Sequence, residues 1–287
     1  MLTDREKLKN LILVLSKKYN FRPAIVEKDY YLTIILTGIE PHLSGKLVFK
    51  GGTLLNKIYL NYQRLSEDLD FIFLSKKELT SRSQRSREIA PVRESMPGFL
   101  KYLGLKSEKP EGQGFNNSTQ YNFAVLYPSF ITGKDEKVEI EISLRHIPVD
   151  EPVHNGVRHF FKDPFTDEYL IPQNKILSLS LNEAVAEKLK AAITRKDLAI
   201  RDYYDLRSIA DNNFDFHSRQ FVSIFKKKLE EEKYRNDFRH NFGLDKKSIE
   251  SLYKQIKTEL MPVIHVGESF NLDAVFDRFN QILRDVK

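Results

Sequence analysis

There is no cysteine among the 287 residues. That excludes disulfides, thiolate metal sites and a cysteine nucleophile, and it fits a reducing compartment. No stretch approaches the ~18 apolar residues that a membrane span needs. The N-terminal run MLTDREKLKNLILVLSKKYN is amphipathic, with charges throughout, and lacks the unbroken apolar core of a signal peptide. A cytoplasmic protein with no membrane partner is expected. The histidines show no zinc-ligand spacing, so His154 and His159 read as surface or core residues. Neither a Gly-X-Ser-X-Gly elbow nor a Walker-type loop is present, which leaves hydrolase-triad and P-loop chemistry without support. Internal repeats and long low-complexity tracts are also missing.

What is present is enough to build a core. Hydrophobic residues make up 41% of the chain and charged residues 30%, which argues against wholesale disorder. The net charge of +6 permits a polyanionic partner such as RNA or DNA without requiring one. Basic runs such as Lys226–Lys228 and Lys246–Lys247 read as a solvated helix surface or a nucleic-acid face.

Leu8, Leu11, Ile12 and Leu15 recur at helical spacing, and residues 24–36 predict a second helix. Residues 47–49 predict a short strand. Gly51 and Gly52 form a turn, Thr53 stands where an N-cap would, and residues 54–62 predict a short helix. Residues 69–74 (LDFIFL) predict a buried strand. The charged residues 76–94 read as a solvated helix or a mobile segment, 111–118 as a turn-rich break, and 148–172 as irregular. Strands are expected at 121–127 and 138–145. In the second, Val138, Ile140, Ile142 and Leu144 take one face, while Glu139, Glu141, Ser143 and Arg145 take the other. Beyond residue 180 the periods are helical. The expected fold is an α/β (α+β) lobe with a mixed sheet over residues 1–178, followed by an α-helical lobe over 179–287.

Residues 50–71, KGGTLLNKIYLNYQRLSEDLDF, hold the densest chemistry. Asp68 and Asp70 lie two apart on a strand and share a face. Two carboxylates side by side repel unless a cation or proton intervenes. Mg²⁺ takes oxygen ligands and leaves positions open for phosphate, as in-line displacement on a nucleoside triphosphate requires. A glycine pair ahead of a helix offers backbone N–H groups to phosphate. Thr53 adds a hydroxyl, and Lys50 and Arg64 add positive charge. An isolated Asp-X-Asp or Gly-Gly is common in proteins without such chemistry; the order strand, Gly-Gly, helix, Asp-X-Asp is far more specific.

This order resembles the polymerase-beta-type nucleotidyltransferase superfamily. The wording FKGGT followed by RLSEDLDF is similar to the AbiEii/MenT group, toxins of type IV toxin–antitoxin and phage-abortive-infection systems. The resemblance implies that Mg²⁺, or Mn²⁺ in its place, is bound by Asp68, Asp70 and a third acid from a neighbouring strand. Glu139 and Glu141 are the candidates, and EIS followed by Arg145 favours Glu141. It also implies a nucleotide-binding set of Lys50, Gly51, Gly52, Thr53, Arg64, Ser66 and Lys188. In AEKLKAAITRKDLAIRDYYDL, Lys188 matches the group's lysine, and Asp202 and Asp205 its Asp-X-X-Asp. Asp202 or Asp205 would orient that lysine, hold the nucleotide or activate the acceptor hydroxyl. The competing structural reading makes Arg201–Asp205 a helical ion pair and Asp202 an N-cap. The implied reaction passes NMP from an NTP substrate to an acceptor, the tRNA 3′ end, with a cognate, DNA-binding antitoxin as partner. Modification of a protein or small molecule, and a non-catalytic RNA-binding module, stay open.

Overall fold

Leu47, Val48 and Phe49 are apolar on both faces of their strand, as a strand in mid-sheet must be. The computed structural model describes residues 5–286; residues 1–4 and 287, at the ends of the two expected lobes, lie outside it. Among the described residues, seven strands form one mixed sheet: β1 (Leu47–Lys50), β2 (Asp68–Phe73), β3 (Gln113–Phe115), β4 (Gln120–Pro128), β5 (Asp135–Ser143), β6 (Val153–Gly156) and β7 (Lys175–Ser178). Their spatial order is β3-β4-β5-β2-β1-β7-β6. β2 lies between antiparallel β1 and parallel β5, so its carboxylates are flanked by strands on both sides. The alternation on β5 is as expected: Val138, Ile140 and Ile142 are fully buried, and the acids take the other face.

Helix α2 (Pro23–His42) covers the apolar side, and α1 (Arg5–Tyr19) packs against α2. α1 buries Leu8, Leu11, Ile12 and Leu15. α2 runs beyond the expected 24–36, to His42, and its Tyr31 stacks on Tyr127 of β4 at 4.2 Å. The charged segment after β2 is largely a helix, in keeping with one of the two expectations, but not a wholly solvated one. From residue 82 it is α4 (Arg82–Tyr102), started by a Ser81/Gln84 capping box and anchored by buried Ile89, Val92, Met96 and Phe99. Half of that stripe lies past residue 94, beyond the charged window. β3 occupies the turn-rich break, with Asn116, Asn117 and Ser118 at positive φ turning the chain into β4. β6 and a one-residue bridge between Lys162 and Tyr169 interrupt the stretch expected to be irregular. His154 is on the surface, and His159 is core, its ring neutral because burial pulls its pKa down to about 4.

The helical half comprises α5 (Leu181–Thr194), α6 (Ile200–Asp211), α7 (Arg219–Glu231), α8 (Lys246–Gln255, prolonged by a π turn to Leu260) and α9 (Leu272–Ile282). Ser180, Ser218, Asp245 and Asn271 cap four of these, each accepting an N–H of the first turn. Between α8 and α9 the chain returns to the first half. Leu65 N donates to Val263 O at 2.8 Å, Val266 N donates to Asn20 O at 2.7 Å, and His265 stacks on Phe21.

Candidate active site

The register decides which side chains meet. Asp70 lies opposite Lys50 on β1 and Glu141 on β5, and Asp68 lies opposite Glu139. The polar face of the sheet is therefore a ladder of acids two residues apart. The two β5 acids differ in their surroundings. Glu139 takes a 2.6 Å ion pair from exposed Lys137. Glu141 accepts a 2.7 Å hydrogen bond from Gln120 Nε2, whose amide also reaches Asn122, and lines a cavity together with Asp70. Partial burial raises the pKa of Asp68 above the usual carboxylate range, with Asp70 and Glu67 adding repulsion. Glu141 is raised by burial and then by Asp70. Among the described residues, no three His, Asp or Glu side chains converge as a ready-made metal cage. Mg²⁺ seldom asks for one: it is held by one or two carboxylates, substrate phosphates and water. Hard oxygen donors under mutual repulsion suit such an ion.

The two glycines are fixed by what they touch. α3 begins at Gly51 (Gly51–Leu54) and widens into a π turn over Leu55–Tyr59, so the expected helix ends three residues early. Gly51 has φ +81°, and a Cβ there would overlap Oδ2 of Asp70. A Cβ on Gly52 would overlap Nη2 of Arg64. Thr53 is not the N-cap. Lys50 holds that position, and the Thr53 hydroxyl donates 2.6 Å to the carbonyl of Asp68, tying α3 to the acid strand. A buried ion pair, Lys57 Nζ to Asp29 at 2.8 Å, fastens the π turn to α2.

Lys188, Asp202 and Asp205 come together across α5 and α6. Lys188 Nζ lies 2.7 Å from Asp202 Oδ1 and 3.0 Å from Asp205 Oδ2. Arg64 grips Asp205 in bidentate fashion, at 2.7 and 2.8 Å, and donates further to Leu65 O and Ser66 Oγ. Burial alone would raise Asp205, but Arg64 and Lys188 outweigh it and hold the carboxyl down at about 2. The competing helical readings fail here. Arg201 pairs with Glu67 at 2.5 Å rather than with Asp205, and α6 starts at Ile200 with Ala199 in the cap position.

A cavity of about 380 Å³ opens over Asp70 and Glu141, walled by Gly51, Gly52, Lys188 and a rim of Lys50, Arg145, Lys190 and Arg195. Its size suits a nucleotide. A cleft of about 190 Å³ adjoins it, lined by Ser66, Glu67, Asp68, Arg201 and Asp202. A larger cavity, about 510 Å³, lies at the far ends of α2 and α4, and no carboxylate lines it. Two residues at the site lie inside the motif wording, which assigns them no role: Arg195, in the loop between α5 and α6, and Glu67, beside the acid pair. Both stand outside any periodic pattern, and their charge alone does not separate them from surface residues. The run Lys226–Lys228 is also not one surface. Lys226 and Lys227 are exposed, but Lys228 is fully buried against Glu183 and Glu187, both at 2.8 Å.

The fold is shared with solved proteins of low sequence identity. The MenT4 nucleotidyltransferase toxin of Mycobacterium tuberculosis aligns with a TM-score of 0.65 at 16% identity, over 97% of this chain and 90% of that one. JHP933 of Helicobacter pylori aligns at 0.53 and 14% identity, over 93% of each chain. No curated protein matches the sequence. The model of the family described as nucleotidyl transferase AbiEii toxin, type IV TA system, matches residues 34–283, which include the acid ladder, both glycines and the Lys188–Asp202–Asp205 network. The chain belongs to the AbiEii family of nucleotidyltransferase toxins.

Proposed function

We propose that the chain transfers a nucleoside monophosphate from an NTP to an acceptor hydroxyl, the 3′ end of a tRNA, with release of pyrophosphate. The observation that carries this reading is one row of groups: Lys50, Asp70 and Glu141 abreast on three strands, facing a cavity of about 380 Å³ with Lys188 on its opposite wall. Mg²⁺ held by Asp68, Asp70 and Glu141 would neutralise the triphosphate and polarise its α-phosphate. The chain's own residues do the rest. The Gly51–Gly52 backbone lets the triphosphate approach the acids without a side chain in between. Lys188 carries charge to the reacting phosphate and is aimed by Asp202 and Asp205. Arg64 acts on that lysine through Asp205 and adds its own field at the wall of the smaller cleft, beside Ser66. The acceptor enters by that cleft, which Asp202 lines and Asp205 does not. Its hydroxyl oxygen bonds to the α-phosphorus, the bond from that phosphorus to the bridging oxygen breaks, pyrophosphate leaves, and the hydroxyl proton passes to Asp202.

The basic balance of the chain suits an RNA acceptor. Family membership implies a cognate antitoxin. Among the described residues no helix is long and apolar enough to cross a membrane, in keeping with action on RNA in the cytoplasm.

The test is incubation with each α-³²P-labelled NTP, Mg²⁺ and total tRNA. Label should pass to tRNA from one NTP, not from its γ-labelled form, and Asp70→Ala should lower the rate by about 10³-fold or more. Label on protein instead of tRNA would replace the acceptor, and transfer by Asp70→Ala at the wild-type rate would remove the acid ladder from the chemistry.

A further inference from the structure

Four residues line both the cavity of about 380 Å³ and the adjoining cleft: Gly52, Asp70, Lys188 and Arg195. If the triphosphate fills the first space and the acceptor enters by the second, the phosphorus that changes partners sits where the two meet. Three of these residues are already accounted for by the backbone turn, the acid ladder and the oriented lysine. Arg195 is not. Its side chain is 53% exposed at the end of α5, and one Nη1 hydrogen bond, 3.1 Å to Asp202 Oδ2, holds it. It also lines the cavity that Asp70 and Glu141 line, so the side chain that holds Asp202 Oδ2 borders the space in front of the acid strand. Asp202 Oδ1 is taken by Lys188, so Oδ2 is the oxygen that Arg195 covers.

We infer that Arg195 is a catalytic residue that leaves Asp202 to fork onto the transferring α-phosphate, uncovering Asp202 Oδ2 as proton acceptor in the same movement. The inference rests on the nucleotidyl-transfer reading above. A half-exposed arginine on one hydrogen bond can exchange partners, and its planar fork suits the equatorial oxygens of a phosphorus under attack. The bonds made and broken are those already given: acceptor oxygen to α-phosphorus forms, α-phosphorus to bridging oxygen breaks, and the hydroxyl proton goes to Oδ2. Arg195 adds charge stabilisation that grows as the phosphorus becomes five-coordinate.

The experiment compares wild type, Arg195→Ala, Arg195→Lys and Lys196→Ala, the last altering the neighbouring exposed cation. Single-turnover transfer from α-³²P-NTP to total tRNA is read beside NTP affinity. Arg195→Ala should lose about 10²–10³-fold in rate with NTP affinity within about threefold. Arg195→Lys should recover only part of the loss, and Lys196→Ala should match wild type. Free guanidinium ion added to Arg195→Ala should restore rate at least about tenfold, which a purely structural role would not permit. A rate within about threefold of wild type overturns the inference, as does a loss that guanidinium does not repair. A loss confined to NTP affinity makes Arg195 a ground-state binder and overturns it too. A wild-type chain that transfers nothing removes the function reading and this inference together, whereas an active wild type with an unimpaired variant removes the inference alone.

Discussion

A methyl group on Gly51 would intrude on the carboxylate of Asp70, and the backbone there has φ +81°, where side chains are strained. Gly51→Ala should therefore abolish transfer by displacing Asp70 and cost about 1–2 kcal/mol of stability, read by activity assay and urea unfolding. A variant that transfers at the wild-type rate would show that Asp70 need not stay where it is. Asp205 gives a pH signature. Its carboxyl is held at about 2, below the unfolded value of about 3.9, so it contributes stability that is complete above the unfolded pKa and lost as pH falls towards 2. Wild type should exceed Asp205→Asn by an amount that is flat from neutral pH to about 5 and shrinks by about 2 kcal/mol between about 4 and 2. A constant difference across that window would mean that Asp205 is not charge-paired. At this scale Asp68, Asp70 and the β5 acids were legible because strand alternation and spacing fix a face. The roles of the glycines were legible only in part. That Gly51 makes room for Asp70 and Gly52 for Arg64 depends on contacts across the sheet, and the Arg64–Asp205 pair spans 141 residues of chain.

Among the elements, β5 could be read from its period, and α5 and α6 from apolar spacing. β7 could not: four residues with two buried side chains give no period, and its place is set by parallel pairing with β1. α4 was obscured by its own surface charge. The link between α7 and α5 was hidden for a related reason, since Lys228 looks like its exposed neighbours until the helices pack. It is fully buried against Glu183 and Glu187 of α5, whose next residue is Lys188. Lys228→Met would leave the Glu183 carboxylate fully buried without its cation and should cost about 3–5 kcal/mol in chemical unfolding. If the loss stayed below about 1 kcal/mol, α5 would be held by its apolar face alone.

The site depends on both halves of the chain. The sheet supplies the acids and the glycine turn, and α5 and α6 supply the lysine and its two acids. Leu65, between Arg64 and the acid pair, is hydrogen-bonded to Val263 near the end of the chain, so closing segments brace the site from behind. In the proposed function, the acids of β2 and β5 and the lysine of α5 hold one metal-bound nucleotide between them. The most direct test is a crystal structure with Mn²⁺ and an α,β-methylene NTP, read by anomalous scattering. We predict manganese on Asp68 and Asp70, with the triphosphate in the cavity of about 380 Å³ and its α-phosphate facing Lys188. Manganese away from both aspartates, or a triphosphate bound outside that cavity, would contradict the account.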